Sequence, residues 1–148
     1  MSITWERIVL ENRETILHRW HKRGLDLFSG KMAPGTPLSE AFADAMGMII
    51  DGFDEDGDFC REGVLRMARI LALHPFRPSQ SMSLFLELLV ILREFAPDGE
   101  DIGVCRERVE RITLYAFDSF VEHREKIYQL KVEESRSAMH MQLRRGRS

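Results

Sequence analysis

The stretch Val64–Phe95, VLRMARILALHPFRPSQSMSLFLELLVILREF, decides how this chain is read. Two apolar helical runs meet in it across a turn bracketed by Pro75 and Pro78. From Leu84 to Leu92 the single polar residue is Glu87, so the second run is apolar nearly all round, as a helix packed on several sides should be. Its remaining polar positions, Gln80, Ser83, Glu87 and Glu94, recur at helical intervals on one narrow stripe. The pattern predicts a tight hairpin in which the second run is the central helix of an all-α domain.

Working outward, a proline pushes the residue before it out of the helical region, so the first of these runs should stop close to Leu73 or His74. Ser79 is placed to cap the second. Upstream, Thr4 is a good N-cap, with Ile3 and Ile8 positioned as a hydrophobic staple. Trp5, Val9, Ile16 and Trp20 follow at helical spacing, opposite Glu11, Arg13, Glu14, Arg19 and Lys22. Gly24 weakens this amphipathic helix, and SGKMAPGTP, Ser29 to Pro37, ends it as a loop. Thr36 followed by Pro37 reads as the cap and first residue of another helix, with the stripe Phe42, Ala45, Met46, Ile49, Ile50 and Phe53. The acidic segment Asp51 to Asp58 favours an exposed turn, after which Asp58 can cap the helix that carries Val64.

Beyond Phe95, APDGED breaks the chain. A long last helix follows from about Ile102, with Val109, Ile112, Tyr115, Ala116, Phe120, Ile127 and Tyr128 on its apolar face. Past Leu130 the pattern thins. The expectation is a single-domain bundle of about five helices over residues 1–130, followed by a polar, basic tail or helix extension over 131–148 that frays near Arg144, Arg145 and Arg147.

Composition excludes several function classes. A chain of 148 residues can bury roughly 70% of its unfolded surface and needs no disulfide or metal staple. Hydrophobic residues at 44% and charged residues at 30% are a globular balance, and a net charge of −3 argues against a dedicated nucleic-acid binder. Cys60 and Cys105 form no paired-thiol spacing and read as idle thiols of a reducing compartment. The N-terminus turns charged before a signal-like core develops, and the longest apolar run falls short of the roughly 20 residues that cross a bilayer. A cytoplasmic protein without an integral membrane segment is expected.

If Gly57 were the sixth residue of a calcium loop, Gly52 and Gly63 would occupy the first and twelfth places, where ligands are required. Glu14, His18 and His21 share one side of the first helix, but no Glu-x-x-His motif completes a di-metal set, and their charged neighbours predict an exposed face. His74, beside Pro75 and Phe76, could face a hydrophobic pocket and ligate haem, or simply bond to carbonyls at a helix C-terminus. No nucleophile elbow or phosphate-binding glycine loop is present. No catalytic residue, metal or cofactor is therefore assigned. Trp20, His74, Phe76, Arg77, Ser79 and Gln80 are the candidates for contact with a ligand or partner.

With these residues laid out, the chain resembles the N-terminal sensory domain of RsbR-type co-antagonists of RsbT, from bacterial stressosomes. The likeness is carried by ENRETILHRW, Glu11 to Trp20, by the loop and helix from Pro34 to Phe53, and above all by LRMARILALHPFRPSQSMSLFLELL. It spans roughly residues 5–130. The resemblance implies an all-helical bundle, related in some members to a globin fold without haem, that dimerises and signals to a C-terminal STAS domain. This chain ends at Ser148 without room for that domain, so a stand-alone, non-enzymatic accessory or sensor subunit is expected. Such a subunit would act by homodimerisation or by binding a protein partner. The alternative is a module holding haem or a small apolar molecule near His74.

Overall fold

Asn12 interrupts the first amphipathic run. Its side-chain amide donates to the Ile8 carbonyl at 2.8 Å, the same acceptor its backbone N–H uses at 3.2 Å. An asparagine that bonds to nearby backbone in this way bends a helix without ending its bond ladder, and Ile16 N–H still reaches the Asn12 carbonyl. In the computed structural model, which describes residues 5–53, 57–97 and 101–146, the expected first helix is consequently two: α1, Trp5–Glu11, and α2, Arg13–Leu27. The proposed cap at Thr4 and staple residue Ile3 lie outside the described residues, as does much of the acidic turn, residues 54–56.

Four further helices complete the described chain, which is all-α: α3, Pro37–Asp51; α4, Asp58–Ala72; α5, Pro78–Arg93; and α6, Gly103–Gly146. Several ends follow local chemistry. Thr36 Oγ1 accepts from the Ser39 N–H at 3.2 Å with Pro37 in the first turn, and α4 ends at Ala72 with Leu73 as its C-cap. Two caps differ from expectation. Gly57, not Asp58, is the N-cap of α4, so the Asp58 carboxylate sits inside the first turn, where it favours the positive end of the helix dipole. Ser79 does not cap α5 either. Pro78 begins that helix after Arg77, and the Gln80 side chain accepts from the Arg77 N–H at 2.9 Å.

The helices close into a ring. α2 packs on α3, α3 on α4, α4 on α6, α6 on α5 and α5 back on α2, while α1 covers the α2 and α3 side. Two expectations fail here. α4 and α5, consecutive in sequence, do not form a hairpin that packs on itself, because α6 lies between them. Nor is α5 surrounded by neighbours. It buries Leu84, Phe85, Leu88, Ile91 and Leu92, but Leu86 and Val90 on its outer side are 44% and 50% exposed. In a ring every helix keeps an outer face, so apolar content alone did not make α5 central.

The core draws Trp20 from α2, Ile49 from α3, Met67 from α4, Leu88 from α5 and Phe120 from α6, each nearly or fully shielded. Two glycines let helices approach. α2 runs straight through Gly24 because a Cβ there would stand 2.6 Å from Phe42 Cε1, so its cost in helix propensity is offset by close packing. Gly63 of α4 lies against α3, where a Cβ would meet the Ala45 carbonyl oxygen and Met48 Cβ, both at 2.8 Å.

The last helix is uninterrupted. α6 runs 44 residues through Leu130 to Gly146, so the segment after residue 130 is a helical extension; Arg147 falls outside the described residues. From Gln129 to Gly146 every residue is exposed except half-buried Val132. The extension therefore projects from the bundle with almost no tertiary packing of its own.

The α3–α4 approach can be checked directly. Gly63→Ala should cost about 1–3 kcal/mol in denaturant unfolding, because one clashing atom is backbone and cannot swing aside. An unchanged midpoint would contradict this packing.

Candidate functional site

The turn between α4 and α5 holds most of the residues singled out from sequence, and Arg124 of α6 organises it. Its guanidinium donates from Nε to the Ala72 carbonyl at 2.7 Å and from Nη2 to those of His74 at 2.5 Å and Phe76 at 2.8 Å. The same group lies over the Phe120 ring, 4.6 Å from its centroid. A rigid guanidinium fork thus supplies a donor to the Ala72, His74 and Phe76 carbonyls, of which that of His74 also accepts from the Phe76 N–H at 2.8 Å. A second arginine on α6 acts likewise, Arg108 Nε donating to the Phe53 carbonyl at the end of α3.

His74 is half-buried and engaged. Its ring meets Phe28 edge-on at 4.7 Å between centroids and stacks on Phe76 at 5.8 Å, and its Nδ1 is 2.9 Å from the Ile70 carbonyl. Phe28 also packs edge-on against Phe42 and Phe76, so an aromatic cluster joins α3, the end of α2 and the turn. Trp20 is not part of it. Fully buried, it donates from Nε1 to the Leu84 carbonyl at 2.8 Å and meets Phe85 edge-on at 6.3 Å. It lies eight residues before Phe28 on α2, about 12 Å along the axis. Arg77, Ser79 and Gln80 are exposed at the start of α5, with Gln80 lining a groove of about 300 Å³ beside Arg23 and Glu87.

Two histidines were not legible. His21, expected on an exposed face, is half-buried with Nε2 3.1 Å from the Ser39 carbonyl and 3.3 Å from its hydroxyl, which ties α2 to the start of α3. His123 of α6 has its Nε2 buried without a hydrogen-bond partner. Burial first, and then the charges of Arg69 and Lys126, hold its pKa below the ordinary 6.5 against the opposing pull of Glu122 and the Leu65 backbone. Among the described residues, no three His, Cys, Asp or Glu side chains converge as metal ligands.

The feature that sequence reasoning missed is the outer face of α6. Leu114, Phe117, Tyr128, Met139 and Leu143 are 45–70% exposed along it, with Val121 and Val132 half-buried between them. Tyr128 had been expected on the buried side. It follows Phe120 by eight residues, which turns it about 80° around the helix and out to solvent. A groove of about 430 Å³ opens on this face where Val121 and Tyr128 pass Pro78 at the start of α5. Exposed apolar residues aligned over such a length characterise interaction surfaces more than catalytic ones.

Compared with known proteins, the chain matches no family model, no curated protein and no solved structure.

Two outcomes follow from the clamp and from His123. Arg124→Met keeps the stem but takes the guanidinium from three carbonyls, of which His74 retains the Phe76 N–H, and should cost about 1–3 kcal/mol by chemical denaturation; a loss within error of zero would show that the turn holds without the clamp. For His123, the unfolded chain takes up a proton at a pH where the folded chain still refuses it. Its contribution is therefore full above pH 6.5 and is lost as pH falls through the lower folded value. Melting temperatures of His123→Gln should accordingly decline less than wild type between neutral and mildly acidic pH, and parallel curves would refute this assignment.

Proposed function

We propose that this chain is a non-enzymatic regulatory or sensory helical domain that works through protein contacts, by dimerising or by binding a partner, in the manner of stressosome-type signalling. The observation that carries the reading is the outer face of α6, where large apolar side chains stay exposed over the bundle and on into the projecting extension. A helix with almost no tertiary packing over its last turns is marginal in water, and a bound partner would supply the missing burial. The resemblance to RsbR-type sensory domains, centred on the turn between α4 and α5, supplies the signalling context.

The alternative, a haem or small apolar ligand near His74, draws less support. Phe28 and Phe76 flank that imidazole and the Ile70 carbonyl lies against Nδ1, so a ligand would first have to displace packed aromatic rings. No helix among the described residues is long and apolar enough to cross a membrane.

Light scattering over a wide concentration range, on the protein alone and mixed with a STAS-domain protein, tests the proposal. A mass above the 17.2 kDa of one chain is expected in at least one condition. A mass of one chain throughout, with the STAS protein running separately, would overturn it.

A further inference from the structure

Half-buried Arg124 carries a charge that the fold leaves unanswered. Its Nε and Nη2 donate to the carbonyls of Ala72, His74 and Phe76, bonds that use donors without neutralising a cation, and a guanidinium cannot shed its proton. Nη1 makes no hydrogen bond within the protein, and no carboxylate among the described residues comes within 4 Å of the group. Arg13, Arg19, Arg23, Arg66 and Arg111, by contrast, each pair with a carboxylate.

The same arginine lines the groove of about 430 Å³ on the outer side of α6. Phe120, Val121 and Pro78 give that groove apolar walls, together with Tyr128, which stays 70% exposed. Glu125 and Gln129 complete the lining. The Glu125 carboxylate is exposed and forms no ion pair, so it does not close on Arg124. An apolar hollow of this size with one polar anchor is the pattern of a small-ligand site. A single cation matches a single negative charge, and apolar walls match an apolar body. Polyphosphates and sugars fit neither.

We propose that this groove binds a small aryl or alkyl monocarboxylate, its carboxylate accepting from Arg124 and its apolar body lying against Val121, Pro78 and Tyr128. The inference rests on the reading of the chain as a sensory domain and names the class of molecule sensed. Val121 and Tyr128 belong both to the groove and to the outer face of α6, so an occupant alters the surface offered to a protein partner. The guanidinium that takes the carboxylate also braces the turn between α4 and α5, which ties occupancy to the joint of the bundle.

The test is calorimetric titration of the full chain with decanoate and with 2-naphthylacetate, each beside its neutral amide. Saturable binding of at least one acid is expected, with its amide at least about tenfold weaker. Val121→Glu sets a negative charge in the groove without touching the clamp and should abolish binding of the acid. Glu125→Gln removes a repelling charge and should tighten it by about twofold or more. Arg124→Gln should erase the preference for acid over amide, a ratio that a merely loosened turn would leave in place; far-ultraviolet circular dichroism confirms that each variant is folded. An amide that binds as tightly as its acid, or an acid indifferent to Val121→Glu, overturns the inference. If neither acid binds while the chain dimerises or holds a STAS protein, the groove belongs to that contact: the inference falls and the proposed function stands. If an acid binds as expected while the chain stays a monomer and ignores the STAS protein, the site stands and the protein-contact reading falls.

Discussion

Arg124 reaches from the last helix to three carbonyls of the turn that separates α4 from α5, and the ring of helices depends on that brace. α4 and α5 each pack on α6 and hardly on one another, so the connection between them, with a proline at each side, has only a few local backbone bonds such as Phe76 N–H to the His74 carbonyl. Left unpaired in a partly buried place, such carbonyls cost more than their bonds return. The guanidinium answers that cost with a planar fork that also lies over the Phe120 ring of the core. The aromatic group of Phe28, His74 and Phe76 then packs from the other side.

From this follows the division of labour within α6. Its inner face, Val109, Ile112, Ala116 and Phe120, belongs to the bundle. Its outer face carries an apolar strip that begins over the bundle and continues past its end. One rigid helix thereby couples the turn, which the core holds tightly, to a surface available to other chains. A partner seated on the strip would press on the element that also closes the ring.

Several local signals were legible, though the expected caps at Asp58 and Ser79 failed and the break at Asn12 was missed, and long-range signals were not legible. Thr36 with Pro37 marked the start of α3, and Pro75 marked the end of α4, because each acts through a few neighbouring dihedral angles. The apolar content of α5 was equally plain, yet its place was not. Periodicity reports how oily a helix is and stays silent on which helices flank it, and the insertion of α6 between α4 and α5 is a long-range choice. Arg124, Arg108 and His21 were missed for a related reason: charged residues in a charged pattern look solvated, while here they bond to carbonyls of other elements. The candidate turn is marked in sequence by its prolines, but its role as a braced joint needed coordinates. The strip on α6 was present as apolar residues at helical spacing, masked by the polar residues that surround it.

We propose that the far half of α6 is ordered when another chain covers it. Amide hydrogen exchange over residues 129–146, followed as protein concentration rises, tests this most directly. Protection that climbs with concentration toward the level of the bundled half of α6 is the predicted result. Rapid exchange of these amides at every concentration, beside a fully protected bundle, would contradict it.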